Sequence, residues 1–175
     1  MRKARDIIGL PIFCLSTGKR AGTVRDVLFD NEWTILGVLL DAQHWYSSCR
    51  YIPAGEITAC GQDAVTIADM KSVRSYAEAE SLGLIPLNGG KHKLKELPVI
   101  TANGQQLGTI EDVYLLEQLG TKIIGFELSE GFVSDLMEGR KWLPMPVSLT
   151  IGEDAVIVPL NSRLEAEEIF VSKEE

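Results

Sequence analysis

The 175-residue chain is short of the residues from which most catalytic and metal sites are built. Its three cysteines, Cys14, Cys49 and Cys60, are odd in number and have no paired spacing. That excludes a disulfide framework and the usual zinc patterns, and it suits free thiols in a reducing compartment. Cys14, inside an apolar run, reads as a small core residue. The only two histidines, His44 and His92, each fall in a predicted loop with no paired acid or nucleophile motif, which leaves nothing for a hydrolytic triad. No Gly-x-Gly-x-x-Gly and no Gly-Lys-Ser/Thr follows a predicted strand, so nucleotide-phosphate cradles are excluded as well. No apolar run reaches the roughly 18–20 residues that a membrane helix needs. Residues 7–15 follow Arg2, Lys3 and Arg5 in the manner of a signal peptide, but Asp6 and Pro11 interrupt the pattern and no small-residue cleavage site follows. The run reads as a strand, in a protein expected to be soluble and cytoplasmic.

Positive charge is scarce too. The formal net charge is −8, whereas phosphate-backbone binding draws on clustered Lys and Arg that release counterions. The short basic spots at 1–5 and at Lys91-His92-Lys93-Leu94-Lys95 read as solubilising charge at a terminus and a linker. No nucleic-acid partner is expected.

What the chain has in abundance is repetition. Gly22-Thr23-Val24-Arg25-Asp26-Val27 returns as Gly108-Thr109-Ile110-Glu111-Asp112-Val113. Leu10-Pro11-Ile12-Phe13 is answered by Leu97-Pro98-Val99-Ile100, and Ile35-Leu36-Gly37-Val38 by Ile123-Ile124-Gly125-Phe126. Tyr51-Ile52-Pro53 is answered by Trp142-Leu143-Pro144, and Gly61-Gln62-Asp63-Ala64-Val65 by Gly152-Glu153-Asp154-Ala155-Val156. One small unit is therefore written twice. Each copy, at roughly 80 residues, buries only about 60–65% of its unfolded surface and needs support from its neighbour or a partner.

Within the first copy, β-rich runs at 10–15, 22–29, 34–41, 50–53, 57–60 and 64–67 are separated by turn residues. Gly37, inside a strand, suggests a bulge or bend. Short strands at this spacing indicate a small sandwich or barrel. From Met70 to Leu84 the period becomes helical, with Ser72 as a candidate N-cap and Gly83 as a stop. Pro86, Asn88, Gly89 and Gly90 then supply linker chemistry. The expected fold class is mainly β: two tandem small β-barrels with a short connecting helix. The first barrel is placed at 1–69, the helix and linker at 70–90, and the second barrel with a charged tail at 91–175.

The order of Leu-Pro-Val, the Gly-Thr-Ile-x-Asp-Val motif, Ile-Ile-Gly-Phe, Leu-Pro and Gly-x-Asp-Ala-Val resembles the PRC-barrel domain over about 6–68 and 93–160. That module is known from the cytoplasmic part of the photosynthetic reaction-centre H subunit and the C-terminal half of the ribosome maturation factor. The likeness extends to uncharacterised bacterial tandem PRC-barrel proteins. It implies a small barrel serving as an assembly or adaptor surface, with no cofactor and no catalytic residue to carry across. The membrane helix of the first and the RNA-associated domain of the second have no counterpart, so neither a photosynthetic nor an RNA role is implied.

Two features are candidates for function. Asp26 and Asp112 each place a carboxylate between apolar strand residues. Either they accept backbone N–H bonds from a neighbouring turn, or they face each other across a pseudo-twofold axis as ligand or ion anchors. The loop after the third strand diverges between copies while its framework repeats. It carries His44, Trp45 and Tyr46 in the first copy and Phe132, Leu136 and Met137 in the second, where Ser134 is a candidate cap. Such side chains either fold down as lids and inter-barrel contacts or form a partner-binding surface. The reading adopted is a non-enzymatic cytoplasmic adaptor that binds a protein of unknown identity, or a second copy of itself, through barrel loops or edge strands. The alternative is a small-molecule or ion sensor using a groove between the barrels.

Overall fold

The computed structural model describes residues 1–41, 48–116, 119, 122–162 and 165–166, with residues 132–133 and 165–166 described by their backbone. By internal contacts the chain divides into two compact units, Met1–Lys93 with Leu115–Ile123, and Leu94–Tyr114 with Ile124–Glu175.

After a two-residue strand β1 (Arg2–Lys3), the first unit is built from β2 (Pro11–Cys14), β3 (Arg20–Phe29), β4 (Ile35–Leu40), β5 (Arg50–Pro53), β6 (Ile57–Cys60), β7 (Val65–Ile67) and β8 (Arg74–Ser75). Helix α1 (Tyr76–Ser81) and a short strand β9 (Ile85–Pro86) follow. The second unit carries β10 (Pro98–Thr101), β11 (Gln106–Leu115) and β12 (Ile123–Ser129) apart from their end residues Leu115 and Ile123, then helix α2 (Phe132–Glu138), β13 (Lys141–Pro144), β14 (Thr150–Ile151), β15 (Val156–Val158) and β16 (Glu165–Ala166).

The first curled sheet has the order β6-β7-β2-β3-β4-β5-β8 and the second β14-β15-β10-β11-β12-β13-β16, the same path shifted by eight strands. Register repeats as well. Ile12 faces Gly22 and Val99 faces Gly108, and each ladder then skips one residue of the long strand, Ala21 or Leu107. Strands β2 and β7 run parallel with Ile12 opposite Val65, as β10 and β15 do with Val99 opposite Val156. The repeated Gly-Thr motif therefore sits beside a β-bulge in both copies, where the extra residue sharpens the local twist and helps a short sheet curl. Alternating side chains fill each interior: Ile12, Val24, Val27, Phe29, Val38 and Ile52 in the first unit, and Val99, Ile110, Val113, Phe126, Leu143 and Val156 in the second, are buried.

The strand glycines Gly37 and Gly125 serve a second purpose beyond bending. Leu36 is skipped in the β3–β4 ladder, so a bulge does lie beside Gly37. The stronger constraint comes from the next strand, whose aromatic ring lies diagonally across the glycine. A Cβ on Gly37 would stand 2.8 Å from the Ile52 carbonyl oxygen and 3.3 Å from the Tyr51 ring. One on Gly125 would stand 2.6 Å from the Leu143 carbonyl oxygen and run into the Trp142 ring. Gly125→Ala is expected to destabilise the second unit by about 1–3 kcal/mol, the usual range for overpacking. Gly55→Ala, where a Cβ meets nothing within 4 Å, is the near-neutral control in the same urea titration.

The connecting helix begins later than its sequence pattern suggests. Met70–Ser72 is a 3-10 turn capped by Asp69, Arg74–Ser75 pairs with Tyr51 and Arg50 as an edge strand, and the N-cap is Ser75 rather than Ser72. Strand pairing to β5 takes the residues that helical periodicity alone would have assigned to the first turn. Leu84 and Ala79 then pack on Leu28, Leu39 and Tyr51, with Cys49 and Tyr76 against the edge of the cluster. Gly83, in the left-handed region at φ +70°, ends the helix.

Candidate functional site

Asp26 follows a second skip in the β3–β4 ladder, between Val24 and Asp26, which leaves Arg25 outside and turns both Asp26 and Val27 inward. Its carboxylate is buried and accepts N–H donors from Val27 at 2.9 Å, Asn88 at 3.0 Å and Gly89 at 2.9 Å. The Pro/Gly linker is thus drawn along β3, with Ile85 and Pro86 paired to Phe29 and Leu28 and the Leu87 N–H bonded to the Val27 carbonyl. Burial raises the Asp26 carboxyl above the ordinary aspartate range, against the opposing pull of these backbone donors. Asp112 is equally buried and accepts the Val113 N–H at 2.8 Å among its contacts. Among the described residues, no three His, Cys, Asp or Glu side chains converge to hold a metal ion.

In the loop after the third long strand, His44, Trp45 and Tyr46 of the first copy lie outside the described residues. In the second copy the segment forms α2, whose N-cap is Gly131 at φ +119°. Ser134 lies inside the helix, where the sequence suggested a cap. The first turn is closed by the Asp135 N–H bonding the Gly131 carbonyl. Leu136 and Met137 project from the helix and are 72% and 81% exposed, while Phe132 is placed by its backbone at the helix start. An open cleft of about 420 Å³, lined by the repeated motif at Gln106–Thr109 and by Ser129, Glu130 and Gly131, adjoins the start of α2.

Beneath α2 lies a charge network that strand alternation alone does not reveal. Glu127 on β12 is fully buried, and its Oε1 accepts the Arg140 guanidinium at 2.6 Å. Arg140, 36% exposed along its side chain, also approaches Asp135 at 3.7 Å and Glu111 at 3.9 Å, and Glu111 lies 4.0 Å from Lys95. The hydrogen bond to Glu127 raises the guanidinium above its usual value, reinforced, against burial, by the charges of Glu127, Glu111 and Asp135. Asp135 is held further by the Ser129 hydroxyl at 2.6 Å and accepts the Glu130 N–H at 3.2 Å.

Comparison of the copies supplies the missing signal. Glu127 faces Trp142 in the β12–β13 ladder as Leu39 faces Tyr51 in the β4–β5 ladder, so Glu127 stands where the first copy has a buried leucine. By the same register Arg140 stands where the first copy has Cys49, beside the Leu28, Leu39 and Tyr51 cluster. A carboxylate at a leucine position is buried at a desolvation cost that only a well-made partner offsets.

Among the described residues no helix is long and apolar enough to cross a membrane. The chain is 26% identical over 159 residues to uncharacterized protein YrrD of Bacillus subtilis (strain 168), a likeness that spans 90% of this chain and 87% of that protein. The profile of the PRC-barrel domain matches twice, over residues 1–74 and 90–164, in step with the two identically threaded sheets. With both halves matched and both built on one strand path, the chain belongs to the PRC-barrel domain family and carries two copies of the domain in tandem.

Proposed function

We propose that this protein is a non-catalytic cytoplasmic adaptor or assembly module, and that the segment between β12 and β13 is a principal protein-binding surface. The observation that carries this reading is the adjacent exposure of Leu136 and Met137 on α2. Single exposed apolar residues are ordinary on any protein surface. Two large neighbours on a short helix, tied down on its polar side and flanked by an open cleft, make a ready anchor for a partner's apolar side chains. Burying them on association recovers about 25 cal/mol for each Å² removed from water. The framework supports the same division of labour, since the strands repeat in order and register while the sequence of this segment differs between copies.

The test is affinity capture from a lysate of the source organism, comparing the intact chain with Leu136→Ser/Met137→Ser. Both side chains are exposed, so the thermal midpoint is expected to hold within the scatter of ordinary surface substitutions. A protein retained by the intact chain is expected to fall roughly tenfold or more in the variant, as for loss of an interface hot spot. Equal recovery by both chains contradicts this surface. Light scattering over a concentration series separates a second copy of the chain from a different protein as the occupant.

A further inference from the structure

We infer that α2 is fastened by a releasable polar latch in which Arg140 and Ser129 position the helix through Asp135. The inference rests on the proposed function for its biological meaning, because the latch would decide how firmly Leu136 and Met137 are presented. A helix of seven residues has no stability of its own in water. Leu136, Met137 and Glu138 all face solvent, so that side of the helix contributes no burial. The described side-chain contacts that bind α2 to the sheet are an outer ion pair, Glu138 with Lys141 at 3.2 Å, and a cluster on Asp135, whose Oδ2 meets the Ser129 hydroxyl at 2.6 Å and the Arg140 Nε at 3.7 Å. Its Oδ1 meanwhile takes the Glu130 N–H. Arg140 is itself immobilised by the buried Glu127 at 2.6 Å. The device thus has a fixed half, Glu127 with Arg140, and a releasable half, Asp135 with Ser129 and Arg140. In the fixed half the carboxylate is fully buried and the contact short, so salt weakens it less than the releasable half, where both side chains are part-exposed and 3.7 Å apart.

Hydrogen exchange on the full chain tests this directly. Asp135→Asn leaves Glu127 and Arg140 paired, and Ser129→Ala removes the second grip, so neither variant disturbs the buried charge. In each, amides of 132–138 are expected to exchange roughly tenfold faster or more, while β12 and β13 keep their protection, the signature of a local opening. Raising salt to roughly 1 M, where the screening length falls to about 3 Å, is expected to speed exchange in the wild type more than in Asp135→Asn. Unchanged exchange of α2 in both variants overturns the latch, whatever the chain binds. Faster exchange with undiminished partner capture leaves the latch standing and overturns the docking role of this surface.

Discussion

Arg140→Cys is expected to destabilise the second unit by about 3–5 kcal/mol, and Glu127→Leu/Arg140→Cys is expected to restore most of that loss. The single change strands a fully buried carboxylate without its guanidinium, and removing one member of a buried pair costs more than the pair contributes. The double change installs the residues that the first copy carries at the same register, Leu39 and Cys49, in a setting where Trp142 replaces Tyr51. Apolar residues of suitable volume in place of a buried ion pair are typically neutral or stabilising. Glu127→Leu alone should cost less than Arg140→Cys, because Arg140 is part-exposed and keeps Asp135 and Glu111 nearby. Urea titrations of the four chains form the cycle, and the coupling between the two sites is expected to be large and favourable. An unchanged midpoint for Arg140→Cys would contradict a buried charge at Glu127.

Asp26→Ala is expected to cost about 2–4 kcal/mol and to free the linker from β3. It deprives the N–H groups of Val27, Asn88 and Gly89 of their shared acceptor. Each lost hydrogen bond to a charged acceptor is worth about 1.5–3 kcal/mol where water cannot replace it. Asn88 and Gly89 are only half-buried, which keeps the total below the simple sum. Exchange of the 88–89 amides should rise in the variant, and protection equal to wild type would contradict the clamp. The pH dependence has a definite sign. Because the folded-state pKa of Asp26 is raised by burial, the folded chain holds this proton more tightly than the unfolded chain. The resulting stabilisation is fully present below the unfolded aspartate value of about 3.9 and is lost as pH rises through the raised folded value. The stability of wild type relative to Asp26→Asn should therefore increase on acidification through that window. A difference that falls on acidification would contradict it.

Sequence and structure agree where the pattern is set by local chemistry. The strand ends at Arg50–Pro53 and Ile57–Cys60 can be read directly, because proline and a Gly-Gln-Asp turn punctuate them. The repeated Gly-Thr motif marks a place where sheet geometry departs from regular alternation, and the ladder skip beside it is the physical reason. Long-range pairing is less legible. Ser72 has the side chain of a cap, but Arg74–Ser75 is taken up by β5, so the helix must wait for Ser75. Ser134 fails as a cap for a related reason: Gly131 closes the first turn with its carbonyl while Ser129 and Asp135 bind each other. The charge network was within reach of the sequence only through the repeat. Glu127 by itself reads as an outward residue, and it becomes conspicuous when the register places it on Leu39.

On the proposed function, two copies share one framework and the segment between β12 and β13 is the binding surface particular to the second. The most direct measurement is affinity capture with a chimera in which residues 129–140 are replaced by residues 41–49 and Glu127 by leucine. The chimera is expected to keep a cooperative unfolding transition, because the strands on either side occupy the same register in both copies. It is also expected to lose the protein that the intact chain retains. A folded chimera that still captures that protein would contradict the claim.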